Sequence, residues 1–246
     1  MKLAVFSDIH ANIEALQAVV DDFQKQHIDR YICLGDLIGY GPNPNECIDL
    51  VRSLPNVVVI LGNHDAAATW EATPYGMSKS AQQVIFWSME TLTRENLSFI
   101  KDLEPTRVMG EMIFSHANPY NPKAWRYVNS RKYAARTFAQ TGKRLAFIGH
   151  THKPLVITRK NFFQISFEEP EPSSVYTVTS GSRQIFNCGS VGQPRDGRPL
   201  ACYLIYDTRL QQLIYRRVAY DHRQTAAKII AAGLPAYLAK RLATGR

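Results

Sequence analysis

Short apolar runs alternate along the chain with segments whose apolar residues recur every three or four positions. Leu3 to Phe6 is a run suited to a strand buried on both faces. Behind Asn12, a residue type that caps helices, Ile13, Leu16, Val19, Val20 and Phe23 follow at helical spacing. Tyr31 to Leu34 predicts a second strand. Asn43-Pro44 then opens a helix through a cap and a first-turn proline, with Cys47, Ile48, Val51 and Leu54 on one face. Val57 to Leu61 predicts a third buried strand. The order β-α-β-α-β calls for a parallel sheet covered by helices, hence an α/β fold.

Two further helices are predicted, from about Ser78 to Glu90 and from Thr93 to Leu103. Beyond them the pattern changes to closely spaced strands: Glu111 to Ser115, Arg144 to Gly149, Leu155 to Thr158, Phe162 to Phe167, Val175 to Thr179, Gln184 to Cys188, Ala201 to Tyr206 and Gln212 to Val218. Such succession implies hairpins and a second sheet. The acidic stretch from Glu168 to Ser174 reads as a surface turn, and the chain from Asp221 onward as basic and helical. With no repeat and no low-complexity linker, residues 1–246 read as one domain.

Five predicted strands run directly into a chemically distinctive segment. These are Ser7-Asp8-Ile9-His10, Gly35-Asp36, Gly62-Asn63-His64-Asp65, Ser115-His116 and Gly149-His150-Thr151-His152. Five of the seven histidines lie in them. Strand ends are where α/β folds gather ligand sites, because loops from several strands converge at one edge. Asp8 and His10 are two apart, so on extended backbone they point the same way, and the same holds for His150 and His152. Each segment alone has an ordinary reading: Asp36 as a turn residue, Asn63 likewise, His116 as a hydrogen-bonded structural histidine. Their joint occurrence, in order and each at a strand end, points to a metal site. Carboxylate, imidazole and amide oxygen together suit divalent ions such as manganese, iron, zinc, nickel or cobalt. Seven ligands (Asp8, His10, Asp36, Asn63, His116, His150 and His152) exceed what one ion draws from protein. Two ions, roughly 3.5–4 Å apart and sharing a bridging carboxylate, are the economical expectation.

Composition changes this picture little. Apolar residues make up 45% and charged residues 20%, ordinary for a folded soluble chain. A net charge of +8 favours an anionic partner, and the basic C-terminal part leaves nucleic acid open. Cys33, Cys47, Cys188 and Cys202 are too widely spaced for a thiolate zinc site, so reduced thiols and a cytoplasmic location are expected. An acidic residue, Asp8, arrives too early for a secretory apolar segment, and no run is long enough to span a membrane, so no membrane partner is expected.

The ordered set Asp8-Ile9-His10, Gly35-Asp36, Gly62-Asn63-His64-Asp65, His116 and Gly149-His150-Thr151-His152 resembles the pattern of the calcineurin-like metallophosphoesterase superfamily. Asn187-Cys188-Gly189-Ser190-Val191-Gly192 resembles the strand-end segment that follows in its small bacterial and archaeal phosphodiesterase branch. The resemblance implies a four-layer α-β-β-α sandwich. It implies one metal held by Asp8, His10 and His152 and a second by Asn63, His116 and His150, with Asp36 bridging. Manganese leads among the candidate ions. His64 would be the catalytic, non-ligand histidine that meets the scissile phosphate and assists the leaving group, while Asp65 would orient the loop. A metal-bridging hydroxide would attack phosphorus in line.

Departures from the pattern narrow the substrate. Gly35-Asp36-Leu37-Ile38-Gly39-Tyr40-Gly41 lacks the Asp-Arg of the Ser/Thr protein phosphatases. His116-Ala117-Asn118-Pro119-Tyr120 departs from the His-Gly-Ser-Pro-Arg of the small bacterial branch. The leading expectation is hydrolysis of phosphodiester or phosphoanhydride bonds in a small phosphorylated substrate of nucleotide type. A nuclease, whose affinity would fall steeply with salt, a protein phosphatase and a non-catalytic scaffold are the alternatives. Scaffold relatives have eroded ligand sets, whereas every position is filled here. Tyr40, Trp125, Arg126 and Tyr127 are candidates to line the substrate pocket, and Arg195 is a candidate phosphate contact whose alternative is a salt bridge with Asp196. The oligomeric state is left open.

Overall fold

The computed structural model describes residues 1–161, 164–179 and 181–246. Its first half is the expected alternation: β1 (Lys2–Phe6), α1 (Ile13–Gln24), β2 (Arg30–Cys33), α2 (Pro44–Arg52) and β3 (Val57–Val59), followed by α3 (Asn63–Ala68), α4 (Lys79–Thr91) and α5 (Arg94–Lys101). Then come β4 (Thr106–Met109), β5 (Met112–Ser115), α6 (Arg131–Gln140), β6 (Leu145–Ile148), β7 (Pro154–Arg159) and β8 (Ile165–Glu168). The chain ends with β9 (Val175–Thr177), β10 (Arg183–Cys188), β11 (Ala201–Asp207), β12 (Gln212–Val218), α7 (His222–Ala231) and α8 (Ala236–Leu242). Phe162 and Phe163, where the pattern starts a strand, lie outside the described residues. No described helix is long and apolar enough to cross a membrane.

Two six-stranded mixed sheets form, in the orders β3-β2-β1-β11-β12-β9 and β4-β5-β6-β10-β7-β8. Strand alternation divides each strand of the first sheet between two cores. Ala4 and Phe6 face α1 and α2, packing with Leu16, Val19 and Ile48. Leu3 and Val5 face the second sheet and pack with Phe114, Phe147 and Phe186. Phe147 has ring centroids of Phe114 and Phe186 at 5.0 and 5.5 Å, and burial of each such ring stabilises by about 1.5–3 kcal/mol. On the far side of the second sheet, Ile113, Ile148 and Ile185 pack with Ala134 and Phe138 of α6. The layers therefore run helices, sheet, sheet, helix, as the resemblance implied.

Both sheets contain parallel strands, β1-β2-β3 in one and β5-β6-β10 in the other. Their carboxyl ends open on the same edge of the sandwich, where the loops after β1, β2, β3, β5 and β6 meet. The C-terminal helices α7 and α8 form a small core of their own with Val84 of α4, through Ile229, Leu234, Leu238 and Leu242. Thr225 Oγ1 lies 2.8 Å from Glu14 Oε2, to which it donates, and 3.0 Å from Asn12 Oδ1, and Lys228 pairs with Glu14, which ties α7 to the start of α1.

Candidate metal centre and substrate cavity

The loops after the parallel strands bring all seven candidate ligands together. Ligand atoms of Asp8, His10 and His152 lie within 4.8 Å of one another, and so do those of Asp36, His116 and His150. Asn63 Oδ1 lies 3.1 Å from His116 Nε2, which adds it to the second group. Asp36 Oδ2 stands between the groups, 3.7 Å from His10 Nε2 and 3.3 Å from His116 Nε2. Gly62 permits this convergence, because a Cβ there would lie 2.1 Å from the backbone nitrogen of Asp36.

Every histidine in the two groups gives one ring nitrogen to a backbone carbonyl. His10 Nδ1–H donates to Ile38 O at 3.0 Å, His116 Nδ1–H to Leu34 O at 2.9 Å, His152 Nδ1–H to Gln193 O at 2.6 Å and His150 Nε2–H to Trp125 O at 2.8 Å. These bonds fix the orientation of each ring and turn its other nitrogen toward the cluster. The carboxylates are oriented in the same manner. Asp8 Oδ2 accepts from His150 N–H at 3.0 Å and Asp36 Oδ1 from His64 N–H at 2.8 Å. Asp8 Oδ1 remains buried without a hydrogen-bond partner.

His10 Nε2 and His152 Nε2 are 3.1 Å apart, as are His116 Nε2 and His150 Nδ1. Lone pairs at that separation repel unless a cation or a proton lies between them. Burial drives His10 and His152 well below the imidazole range and His150 to about 3, so these rings are neutral donors. Burial opposes charge on His116 as well, but Asp36 and Asp8 outweigh it and raise the ring to about 9. Burial likewise pushes Asp8 up to about 7, against the pull of His116. Three neutral imidazoles, a fourth at His116 whose proton a cation would replace, an orphaned carboxylate oxygen and an amide oxygen are a donor set that fits divalent cations.

Two sequence expectations need correction. The backbone at the paired ligands is not extended: Asp8, His10, Asp36, His150 and His152 have φ of 56°, 50°, 52°, 69° and 59°. Left-handed turns, each costing about 1–2 kcal/mol, aim these side chains. Accordingly His150 and His152 do not share a target; His150 meets His116 while His152 meets His10. Such strain gathered at one locus is characteristic of functional sites.

The comparisons with known proteins agree with this geometry. Residues 1–211 match the model of the calcineurin-like phosphoesterase superfamily domain. The chain belongs to that superfamily. A protein of Methanocaldococcus jannaschii is 36% identical over 99% of this chain and 98% of its own. The crystal structure of a metallophosphoesterase from Sphaerobacter thermophilus is also 36% identical, superposes with a TM-score of 0.89, and covers 100% of this chain and 99% of its own. A symmetrical bis(5'-nucleosyl)-tetraphosphatase from Psychromonas ingrahamii is 36% identical over 67 residues, 26% of this chain and 24% of its own.

A cavity of about 650 Å³ opens over the cluster, lined by Asp36, Asn63, His64, His150 and His152 at its floor. His64 is buried, and its Nδ1 has no hydrogen-bond partner. Unlike His10, His116, His150 and His152, it gives no ring nitrogen to a carbonyl, although it too lies within 4.8 Å of the ligand atoms of His10 and Asp36. Asp65 carries the loop-orienting load: its carboxylate accepts from Gly62 and Leu37 N–H at 3.1 and 3.0 Å. Asn187 braces the neighbouring loop, donating to Gly149 O at 2.7 Å.

The substrate-facing expectations divide. Tyr40, Trp125, Tyr127 and Arg195 line the cavity, whereas Arg126 is exposed to solvent and does not. The turn at Trp125, whose φ is 50°, sends the next side chain outward. Arg195 makes no bridge to Asp196, which pairs instead with Arg217. The sequence reading missed Tyr237 and Arg241, which reach the cavity from α8. It also missed Gln193, whose carbonyl orients His152.

Proposed function

We propose that this chain is a dinuclear metal-dependent phosphoesterase that hydrolyses phosphodiester or phosphoanhydride bonds of a small, nucleotide-type substrate. The observation that carries the proposal is the pair of ligand groups meeting at Asp36, with every imidazole ring in them oriented by a backbone carbonyl. Asp8, His10 and His152 would hold one cation and Asn63, His116 and His150 the other, with Asp36 serving both. Divalent cations, when bound, supply an acidified water and neutralise charge on phosphoryl oxygens. Manganese suits this oxygen and nitrogen set, as do iron, nickel, zinc and cobalt.

His64 sits on the cavity floor with a ring nitrogen within 4.8 Å of the ligand atoms of His10 and Asp36, and the role assigned to it here is proton donor rather than ligand. Burial, with Asp36 opposing and His116 and Arg195 adding to the effect, lowers it to about 4, so the ring is neutral in the free protein. An arriving phosphate adds negative charge beside it and favours its protonation. It is then placed to give a proton to the departing oxygen, an effect worth on the order of 10²–10⁴ in rate. The aromatic and basic walls supply base stacking and phosphate contact, and the partial likeness to a nucleosyl tetraphosphatase supports a nucleotide. The four buried, unpaired thiols support a cytoplasmic setting.

The test is release of p-nitrophenol from bis-p-nitrophenyl phosphate with and without added manganese, in wild type and in Asp36→Asn. Metal-dependent release is expected, falling on the order of 10³-fold in a variant that keeps the shape of Asp36 but not its charge. Turnover that ignores the metal or survives the substitution would sink the proposal.

A further inference from the structure

We infer that Arg195 and Arg241 form a second anion subsite beside the metal centre, which takes the phosphoryl group next to the scissile one. The preferred substrates then carry a diphosphate or longer chain, as nucleoside diphosphates and polyphosphates do. The inference rests on the phosphoesterase reading for its functional meaning, but the subsite itself is argued from geometry.

Gln193 is the hub. It is 2% exposed, and its side-chain oxygen accepts from Arg195 Nη2 at 2.8 Å and from Arg241 Nη1 at 3.1 Å. Its carbonyl accepts from the ligand His152 at 2.6 Å and its N–H donates to Ser190 Oγ at 2.9 Å. The two guanidinium groups are thereby held in register with the metal centre. One ring separates them from it. Tyr40 has its centroid 4.5 Å from His10 and 4.6 Å from His64, and Arg195 Cζ lies 5.6 Å from the same ring. Both arginines face the cavity.

Two cations converging on one neutral oxygen repel, and burial together with the Arg195 charge lowers Arg241 below its ordinary value. Among the described residues no Asp or Glu side chain is paired with either arginine; the adjacent acid, Asp196, is paired with Arg217. Arg195 Nε is buried without a partner, while Arg241 turns its Nε to the carbonyl of Arg246 and another nitrogen to Tyr237 Oη at 3.0 Å. A purely structural role for the pair is poorly motivated. Helix α8 is already held by Leu238, Ala239 and Leu242 in its own apolar core. A planar fork with unspent donors beside a phosphoryl-binding centre is suited to a second phosphoryl group. Arg241 also lies beyond residue 211, where the superfamily match ends, so the subsite is not implied by the common domain.

The experiment has two readouts. Inorganic pyrophosphate and inorganic phosphate are titrated calorimetrically into the full chain stripped of metal. The wild type is expected to bind pyrophosphate at least roughly tenfold more tightly than phosphate, and Arg195→Gln and Arg241→Gln each to weaken pyrophosphate roughly tenfold. Arg241→Lys, which keeps the charge, is expected to retain part of the difference, and thermal melting establishes that each variant is folded. In the manganese-loaded enzyme, the ratio of kcat/KM for ADP to that for bis-p-nitrophenyl phosphate is expected to fall roughly tenfold in Arg241→Gln, through KM. Equal affinity for the two inorganic anions, or pyrophosphate binding untouched by both Gln variants, would overturn the subsite. Failure of the loaded wild type to cleave either substrate would overturn the catalytic reading alone, and the calorimetry would still decide the subsite.

Discussion

At and beneath the floor of the cavity, Asp8, His10, Asp36, His116 and His152 are all buried, and each candidate ligand imidazole is tied to a carbonyl of a loop other than its own. On the walls, Trp125 is half-buried, Tyr127 is 44% exposed, and Tyr237 and Arg241 arrive from the far end of the chain. The floor is over-determined: moving one ligand means breaking a backbone bond to a neighbouring loop. The wall is held by a few long side chains and by α8. On the proposed reading, chemistry that needs sub-ångström placement is built into the loops of the parallel strands, and recognition is added from side chains that reach over them, joined to the floor at Gln193.

The largest expected effect that separates the two regions is at His64. His64→Ala should retain the metal content of the wild type and lose about 10²–10⁴ in kcat, checked by elemental analysis beside steady-state kinetics. Loss of a metal would show that His64 is a ligand, a placement its distance to His10 and Asp36 makes geometrically open. A smaller effect is expected from Gly39, which has φ +92° and where a Cβ would lie 2.3 Å from His64 Nδ1. Gly39→Ala leaves all seven proposed ligands intact but displaces the ring, so kcat should fall about 10²-fold at unchanged metal content. Full activity in this variant would mean that the position of His64 is not critical.

The floor was legible in the sequence because its logic is local. A short apolar strand followed closely by Asp-x-His or Gly-Asn-His places a metal-binding type of side chain at a sheet edge whatever the remainder of the fold does. What local pattern could not supply was the backbone geometry. Left-handed φ at Asp8, His10, His150 and His152 arises from tertiary bonds such as Asp8 N–H to Gly35 O and His10 N–H to Asp36 O. Elements with weak apolar signatures were also lost. β4 is an edge strand with two of its four residues exposed, and α6 buries only Ala134, Thr137 and Phe138. Arg241 reads in the sequence as one of several C-terminal basic residues; only the packing of α8 on α7 and α4 brings it to the cavity.

The wall is sharpened by comparing two neighbours in sequence. Tyr127 packs its ring 4.5 Å from that of His150 and lines the cavity, while Arg126 faces solvent. Tyr127→Ala should raise KM for a nucleotide substrate about 2- to 10-fold, the scale of one aromatic contact, with kcat retained. Arg126→Ala should leave both constants at wild-type values. The reverse outcome would move the substrate to the outer side of that turn.

The smallest effect lies away from both regions, and it tests whether the floor depends on the frame beneath it. Asp22 of α1 accepts from Tyr203 Oη at 2.7 Å and from Arg216 Nε and Nη2 at 3.0 and 2.9 Å, joining the helix layer to β11 and β12. Burial alone would raise its carboxyl, but the hydrogen bonds from Arg216 and Tyr203 win and hold it below the usual carboxylate range. A carboxyl depressed in the folded state contributes stability that is complete above its unfolded value, about 3.9, and is lost as pH falls through the folded value. Asp22→Asn should therefore cost about 1–3 kcal/mol at neutral pH, with a gap to wild type that stays flat down to about pH 5 and closes below about pH 4. Denaturant unfolding across that range measures the gap. Metal content and turnover at neutral pH should not change, because no bond links Asp22 to the loops that hold the ligands. A gap that persists unchanged to pH 3 would show that packing rather than charge fastens α1 to the sheet, whereas lost metal would show that the floor is not independent of its frame.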